Sequence, residues 1–277
     1  DKEEYPDGVS AEGERSIDKT TIAPRIPEGF ELRDYQVEAI DKWEEQDFKG
    51  IFDMATGTGK TYTGLGAAAR LSKRLEDRLA LIIVCPYQHL VEQWVEDIVL
   101  FGMKPIIGYS SSIQRSWKKN LESAIRDQKL KVRKREFFCF VTTNATFSSE
   151  FVQNQLSKIR SDILLMVDEA HHSPANTYQK VMEYFKPKLF LGMTATPDKR
   201  DDGDASRNVY ELFHYQIAYE IRLQQAMEED LLCPFHYFGI SDISMITDEQ
   251  TKARNVSEEY FGRLTSDERV RHVIEQA

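Results

Sequence analysis

Ten residues, FDMATGTGKT at positions 52 to 61, gather two glycines, three threonines and one lysine. Residues of these types can hold an anion. The GIFDM stretch before the turn reads as a strand and KTYTGLGAAARLSKRL after it as a helix, so the turn lies at a helix N-terminus. Gly57 and Gly59 let the backbone bend with its N–H groups facing inward, and the helix dipole adds partial positive charge. Lys60 can reach the outer phosphates of a bound polyphosphate, and Thr61 can offer a hydroxyl to Mg²⁺. The strict phosphate-loop template opens with a glycine where this chain has Met54, so the match is to the looser A-T-G-x-G-K-T form. A Gly/Thr-rich turn with an unrelated lysine is the plainer alternative.

A second stretch, LLMVDEAHH, is an apolar strand ending in Asp168 and Glu169. Two carboxylates at the C-terminal end of a strand suit phosphoryl chemistry: Asp168 would hold Mg²⁺ through water, and Glu169 would polarise the attacking water. A rival reading pairs Glu169 with His172 in the Glu-x-x-His spacing of carboxylate-bridged iron sites. Such sites need two copies on facing helices, and this sequence offers one copy at a strand end.

The elements that must position these groups are legible from hydrophobic period. Short apolar runs at 50–54, 79–85, 105–109, 137–141, 163–168 and 188–193 read as buried strands. The segments between several of them space apolar residues at three and four. Repeated βαβ units predict an α/β fold, a mainly parallel, doubly wound sheet with helices on both faces. Residues 1–28 read as an acidic, loosely attached leader, 29–232 as the main domain, and 233–277 as the start of a linker or second domain. YELFHYQIAYEIRLQQAMEEDLL reads as helical, CPFHYFGIS as a strand, and SDERVRHVIEQA as a final helix.

Together ATGTGKT, VDEAHH and GMTATP, in this order and spacing, resemble the DEAH-type superfamily 2 helicases and translocases, above all the helicase subunits of restriction and phage-defence systems of the type III res-subunit kind. The resemblance runs from about residue 29 to 240 and implies a RecA-like P-loop NTPase with ATP and Mg²⁺ as cofactors. Its phosphate loop would be Ala55, Thr56, Gly57, Thr58, Gly59, Lys60 and Thr61, with Thr61 and Asp168 toward Mg²⁺ and Glu169, Lys60 and Asp168 as catalytic groups. In FELRDYQVEAI, Gln36 would read the adenine edge with support from Arg33. By the same resemblance, Pro86, Tyr87, Gln88, Thr142 and Thr143 would line the nucleic-acid track, and His171, Thr194 and Thr196 would couple that track to the γ-phosphate. Loop residues that merely cap helices remain the plainer reading of the track positions.

The family closes two RecA-like domains around one ATP, and the second supplies arginines. No Gly-Arg-x-x-Arg segment follows Thr196. The expectation is an ATP hydrolase that works as an ATP-dependent DNA helicase or translocase, of which this chain is the first motor domain, with weak binding and very slow hydrolysis by itself. Its expected partners are single- or double-stranded DNA, a second RecA-like domain of the same protein, and a nuclease domain or subunit. The alternative is a nucleotide-dependent switch acting on a protein partner. ATPase stimulation by DNA separates the two.

Composition sets outer limits. With 277 residues, 41% of them hydrophobic, the chain can bury a large core without staples. Cys85, Cys139 and Cys233 form no paired spacing and read as buried thiols in a reducing, cytoplasmic setting. No apolar stretch approaches the ~20 residues that cross a bilayer, and the N-terminus is acidic where a signal peptide is basic and then apolar. A net charge of −10 argues against general nucleic-acid coating but allows a local basic groove. The basic run from Arg115 to Lys134 is either such a groove or, as is usual, a solvated helix face.

Overall fold

The computed structural model describes residues 23–170, 188–195 and 216–233. Seven strands, β1 (Lys49–Met54), β2 (Leu79–Cys85), β3 (Pro105–Gly108), β4 (Phe138–Thr143), β5 (Asp162–Val167), β6 (Leu189–Thr194) and β7 (Ile217–Ile221), form one sheet in the order β3-β4-β2-β5-β6-β1-β7. Every pairing is parallel. The described helices are α1 (Asp34–Glu45), α2 (Lys60–Arg74), α3 (Gln88–Leu100), α4 (Trp117–Lys129), α5 (Asn144–Phe147), α6 (Glu150–Leu156) and α7 (Leu223–Glu228). The chain divides into two compact units, Asp1–Leu232 and Cys233–Ala277, and all of these elements lie in the first.

The period of two along β2 shows why both faces need helices. Leu79, Leu81, Ile83 and Cys85 enter one core cluster, with Ile40 and Trp43 of α1, Leu65 and Leu71 of α2, and Val91 and Ile98 of α3. Ala80, Ile82 and Val84 point the other way, to a cluster with Leu121 and Ile125 of α4, Phe147 of α5 and Val152 of α6. A strand buried on both faces reads as an unbroken apolar run, and LALIIVC is one. Close packing of α2 on the sheet depends on Gly64, where an added Cβ would lie 2.8 Å from the side chains of Met166 and Met193.

The parallel, doubly wound sheet is as expected, and three local readings change. Ile217–Ile221, read as part of a helix, is the strand β7. Pairing with β1 decides this: Phe52 lies beside Tyr219 and Met54 beside Ile221, so the branched and aromatic side chains of IAYEI gain a ladder and a core that a surface helix would not give them. Residues 23–28, grouped by composition with the leader, are attached: Ala23 is buried and the Arg25 N–H donates to the Phe101 carbonyl at 2.9 Å. Cys85 and Cys139 are buried as expected, whereas Cys233 is exposed. The segments CPFHYFGIS beyond Cys233 and SDERVRHVIEQA lie outside the described residues, as do residues 1–22. Among the described residues no helix is long and apolar enough to cross a membrane.

Candidate functional site

In an all-parallel sheet the loops that follow the strands meet at one edge, and ligand sites of such folds lie there. That edge carries Ala55 to Gly59 after β1, Pro86 and Tyr87 after β2, and Asp168 and Glu169 after β5. The order β5-β6-β1 leaves a single strand between the two acids and the glycine-rich loop. Thr194 ends that strand, in register with Asp53. His171 and Thr196 lie outside the described residues.

The loop is folded as an anion cradle. Gly57 and Gly59 have φ of 89° and 77°, the left-handed region that an L side chain enters only at a cost. Inside the turn the Thr58 hydroxyl donates to the Ala55 carbonyl at 2.7 Å, so Thr58 shapes the loop with its side chain. Thr56 and Gly57 face solvent, and Thr61 opens α2. From α1, the Tyr35 hydroxyl donates to the Thr58 carbonyl at 2.6 Å and the Gln36 amide to the Gly59 carbonyl at 3.3 Å. The Gln36 amide oxygen in turn accepts the Arg33 N–H at 3.0 Å. Gln36 is thus a brace of the loop, with one amide proton left for a ligand. Arg33 is exposed and lines a cavity of about 760 Å³ with Tyr35, Lys42, Tyr219 and Glu229. Asp34, Glu38 and Glu220 add negative charge to its wall, and neither Gln36 nor the glycine-rich loop lines it.

Lys60 and the acids face one another electrostatically. The Lys60 ammonium donates to the Met54 carbonyl at 3.1 Å. Burial pulls its pKa down, and the carboxylates of Glu169, Asp168 and Asp53 act against this by favouring the charged form. Asp168 shows the converse: burial pushes its carboxyl up, against hydrogen bonds from Trp94 and the Glu169 N–H and the nearby Lys60 charge. Its Oδ2 accepts the Trp94 indole N–H at 2.7 Å and its Oδ1 the Glu169 N–H at 2.9 Å. Glu169 has φ 44°, a strained value for a residue with a side chain. Glu169 stands on a turn after a strand, not on a helix, so the facing-helix arrangement of the iron-site rival is not built from it.

Two features escaped the sequence reading. Trp94 belongs to an apolar helical period and gives no local sign of an acceptor 74 positions away. Asp53 is 1% exposed and lies 3.0 Å from a guanidinium nitrogen of Arg222, just after β7. A charged residue inside the apolar run GIFDM was a signal of this pair, because buried charges require partners.

The proposed track residues separate. Tyr87 and Gln88 are exposed and Pro86 is half-buried at the site edge. Thr142 is fully buried, and its hydroxyl donates to the Gly108 carbonyl, so it is not on the surface of a track. The sequence reading ended β4 at Val141; two more ladder pairs, Val84 with Thr142 and Cys85 with Thr143, carry it inward. Thr143 caps α5, accepting the Thr146 N–H at 3.4 Å.

Half of the basic run, Lys118, Lys119, Arg126 and Lys129, lies on α4 itself. Arg115 precedes the helix at the site edge, while Lys131, Arg133 and Lys134 follow it and lead into β4, at the opposite edge. Thirteen helical residues put roughly 20 Å between the two ends. Were nucleic acid to follow the site edge alone, reversing Lys131, Arg133 and Lys134 to Glu would leave the salt dependence of its binding unchanged, whereas one continuous basic groove would lower the slope by roughly 2 to 3.

Residues 29–199 match the family described as type III restriction enzyme, res subunit. The DNA 3'-5' translocase XPB2 of Sulfurisphaera tokodaii is 28% identical over 193 residues, 69% of this chain and 36% of that protein. The type I restriction enzyme EcoAI endonuclease subunit of Escherichia coli is 24% identical over 217 residues, 75% of this chain and 24% of its own length. The chain thus spans about a third or less of these relatives. Among solved structures, a nuclease-deletion mutant of the type ISP restriction-modification enzyme LlaGI, in complex with a DNA substrate mimic, has the same fold. Its TM-score is 0.58 at 19% identity, covering 73% of this chain and 21% of that one. The ATP-dependent type ISP enzyme LlaBIII bound to DNA gives 0.57 at 17% identity, over 74% and 16%.

Proposed function

Because the chain belongs to the type III restriction enzyme res subunit family, we propose that it is the ATP-binding motor unit of a DNA translocase or helicase. The observation that carries this reading is the convergence of the glycine-rich loop, Lys60 and the Asp168–Glu169 pair on one edge of one parallel sheet. Peptide amides and an ammonium on one side with two carboxylates on the other suit a magnesium-bound triphosphate. Relatives named as a DNA translocase and as restriction enzymes support the nucleic-acid side of the proposal.

In this reading the amides of Gly57, Gly59 and their neighbours bind phosphate oxygens, and Lys60 holds the outer phosphates. Arg33, with the remaining proton of the Gln36 amide, receives the base beside the cavity. Asp168 and Thr61 would hold Mg²⁺, an ion both hard oxygen donors fit. Held there, such an ion would supply positive charge against the charge that develops on the phosphoryl oxygens. Glu169 orients and deprotonates the attacking water. Tyr87 and Gln88 meet the DNA backbone, and Thr194, on the strand between loop and acids, links the two halves of the pocket. A second RecA-like domain supplies the arginine that completes hydrolysis, an addition worth ~10³ to 10⁵ in rate in P-loop enzymes.

DNA should stimulate steady-state ATP hydrolysis by the full-length protein at least about tenfold, each factor of ten corresponding to about 1.4 kcal/mol of barrier. ATP turnover that is indifferent to single- and double-stranded DNA would replace the motor by a nucleotide-dependent switch on a protein partner.

A further inference from the structure

The indole of Trp94, on α3, is 3% exposed and packed in the core cluster beneath the site edge. A buried indole N–H needs an acceptor, and any nearby carbonyl would satisfy it. Here it is aimed at a carboxylate instead: Nε1 donates to Oδ2 of Asp168 at 2.7 Å. The other oxygen, Oδ1, accepts the Glu169 N–H at 2.9 Å. Two donors from different directions hold the two oxygens, so the carboxylate cannot turn about its Cβ–Cγ bond without breaking one of them. Each oxygen keeps lone-pair capacity for a further partner.

The helix that carries Trp94 is tied to the other half of the pocket as well. Asp97, also on α3, acts electrostatically on Tyr62 of α2, next to Thr61: burial raises the Tyr62 phenol and the nearby Asp97 carboxylate adds to it. The N-cap of α3 is Tyr87, at the exposed edge. One helix thus joins that edge, the opening turn of the phosphate-loop helix and the metal-binding acid.

We infer that Trp94 is a positioning residue for the metal: by fixing the plane of the Asp168 carboxylate it sets the affinity of the site for a divalent cation in the presence of nucleotide. The inference rests on the ATP-site reading above. Groups that hold a metal ligand in place are worth 10- to 100-fold in metal affinity when removed, because a free ligand must be ordered anew on binding.

The test uses the chain with Trp94→Phe and, separately, with benzothienylalanine introduced at position 94, which keeps the bicyclic shape and replaces the N–H by sulfur. Mn²⁺ binding is titrated in the presence of ADP from the paramagnetic signal of the free ion. ADP affinity in EDTA and the thermal midpoint are measured alongside. The isostere should bind Mn²⁺ about 10-fold or more weakly than the natural chain, with metal-free ADP affinity and thermal midpoint unchanged. Unaltered Mn²⁺ affinity in the isostere would reduce the Trp94 bond to the satisfaction of a buried donor and overturn the inference. So would an equal loss of metal-free ADP binding, which would mark a general disturbance of the pocket. If Trp94→Phe unfolds, the isostere decides alone. Absence of nucleotide-dependent Mn²⁺ uptake by the natural chain would instead remove the ATP-site reading itself, and this inference with it.

Discussion

Lys60→Ala should abolish measurable nucleotide binding, a loss of at least about 100-fold in affinity. The ammonium offers three donors, and one is taken by the Met54 carbonyl. Two remain for phosphate oxygens, and hydrogen bonds to charged groups contribute about 1.5 to 3 kcal/mol each, so two of them correspond to roughly two to four factors of ten. Burial adds to the effect. In water a lysine loses a hydration shell when it meets phosphate, whereas Lys60 is already partly desolvated; burial lowers its pKa, and Glu169, Asp168 and Asp53 oppose this by favouring the charged form. The measurement is a fluorescent-nucleotide titration, with circular dichroism to establish that the variant is folded. Affinity within threefold of the natural chain would place the phosphates elsewhere.

Glu169→Gln should separate binding from chemistry. The amide has nearly the shape of the carboxylate and meets the same backbone, so the left-handed φ of 44° and the N–H bond to Asp168 are retained. What disappears is the group that can take a proton from water, and a positioned base contributes about 10² to 10⁴ in rate. Magnesium-dependent nucleotide affinity should therefore stay within a few-fold, while ATP turnover by the full-length protein falls by two to four orders of magnitude. Undiminished turnover would move the base to another residue. A parallel loss of affinity would mean that Glu169 helps to hold the ion, a role now given to Asp168 and Thr61.

The two variants probe opposite walls of the same pocket. Their walls come from strands that are not neighbours, because β6 runs between β5 and β1. Thr194 ends that intervening strand. The two walls are thus two strand spacings apart, about 10 Å, and Thr194 stands at the strand end midway between them.

Much of the pocket was legible in the sequence, and for a local reason. A left-handed turn favours glycine, so the close pair Gly57 and Gly59 marks the turn wherever it lies in the fold. Strands buried on both faces are near-continuous apolar runs, so LALIIVC and ILLMV announce a parallel sheet, and a parallel sheet gathers the C-terminal ends of its strands at one edge. Those two rules put Lys60, Asp168 and Glu169 on one edge, and the strand order β5-β6-β1 brings them near one another.

What the sequence left open depends on which strands and helices become neighbours. IAYEI is helical or extended according to whether an edge strand stands beside it, and β1 decided that. Thr142 carries the same hydroxyl in a loop or in a ladder, and only the extra pairing of β4 with β2 turned it inward. The basic residues on either side of α4 look continuous in the chain, yet the helix carries them to opposite edges. Trp94 and Asp168, like Asp53 and Arg222, meet across long separations in sequence. The candidate phosphate loop and its acids were marked by residue type and spacing because backbone turns and apolar periods are local. The partners that orient its acids were decided by tertiary packing, because a buried N–H or carboxylate takes whichever complementary group the fold brings within reach.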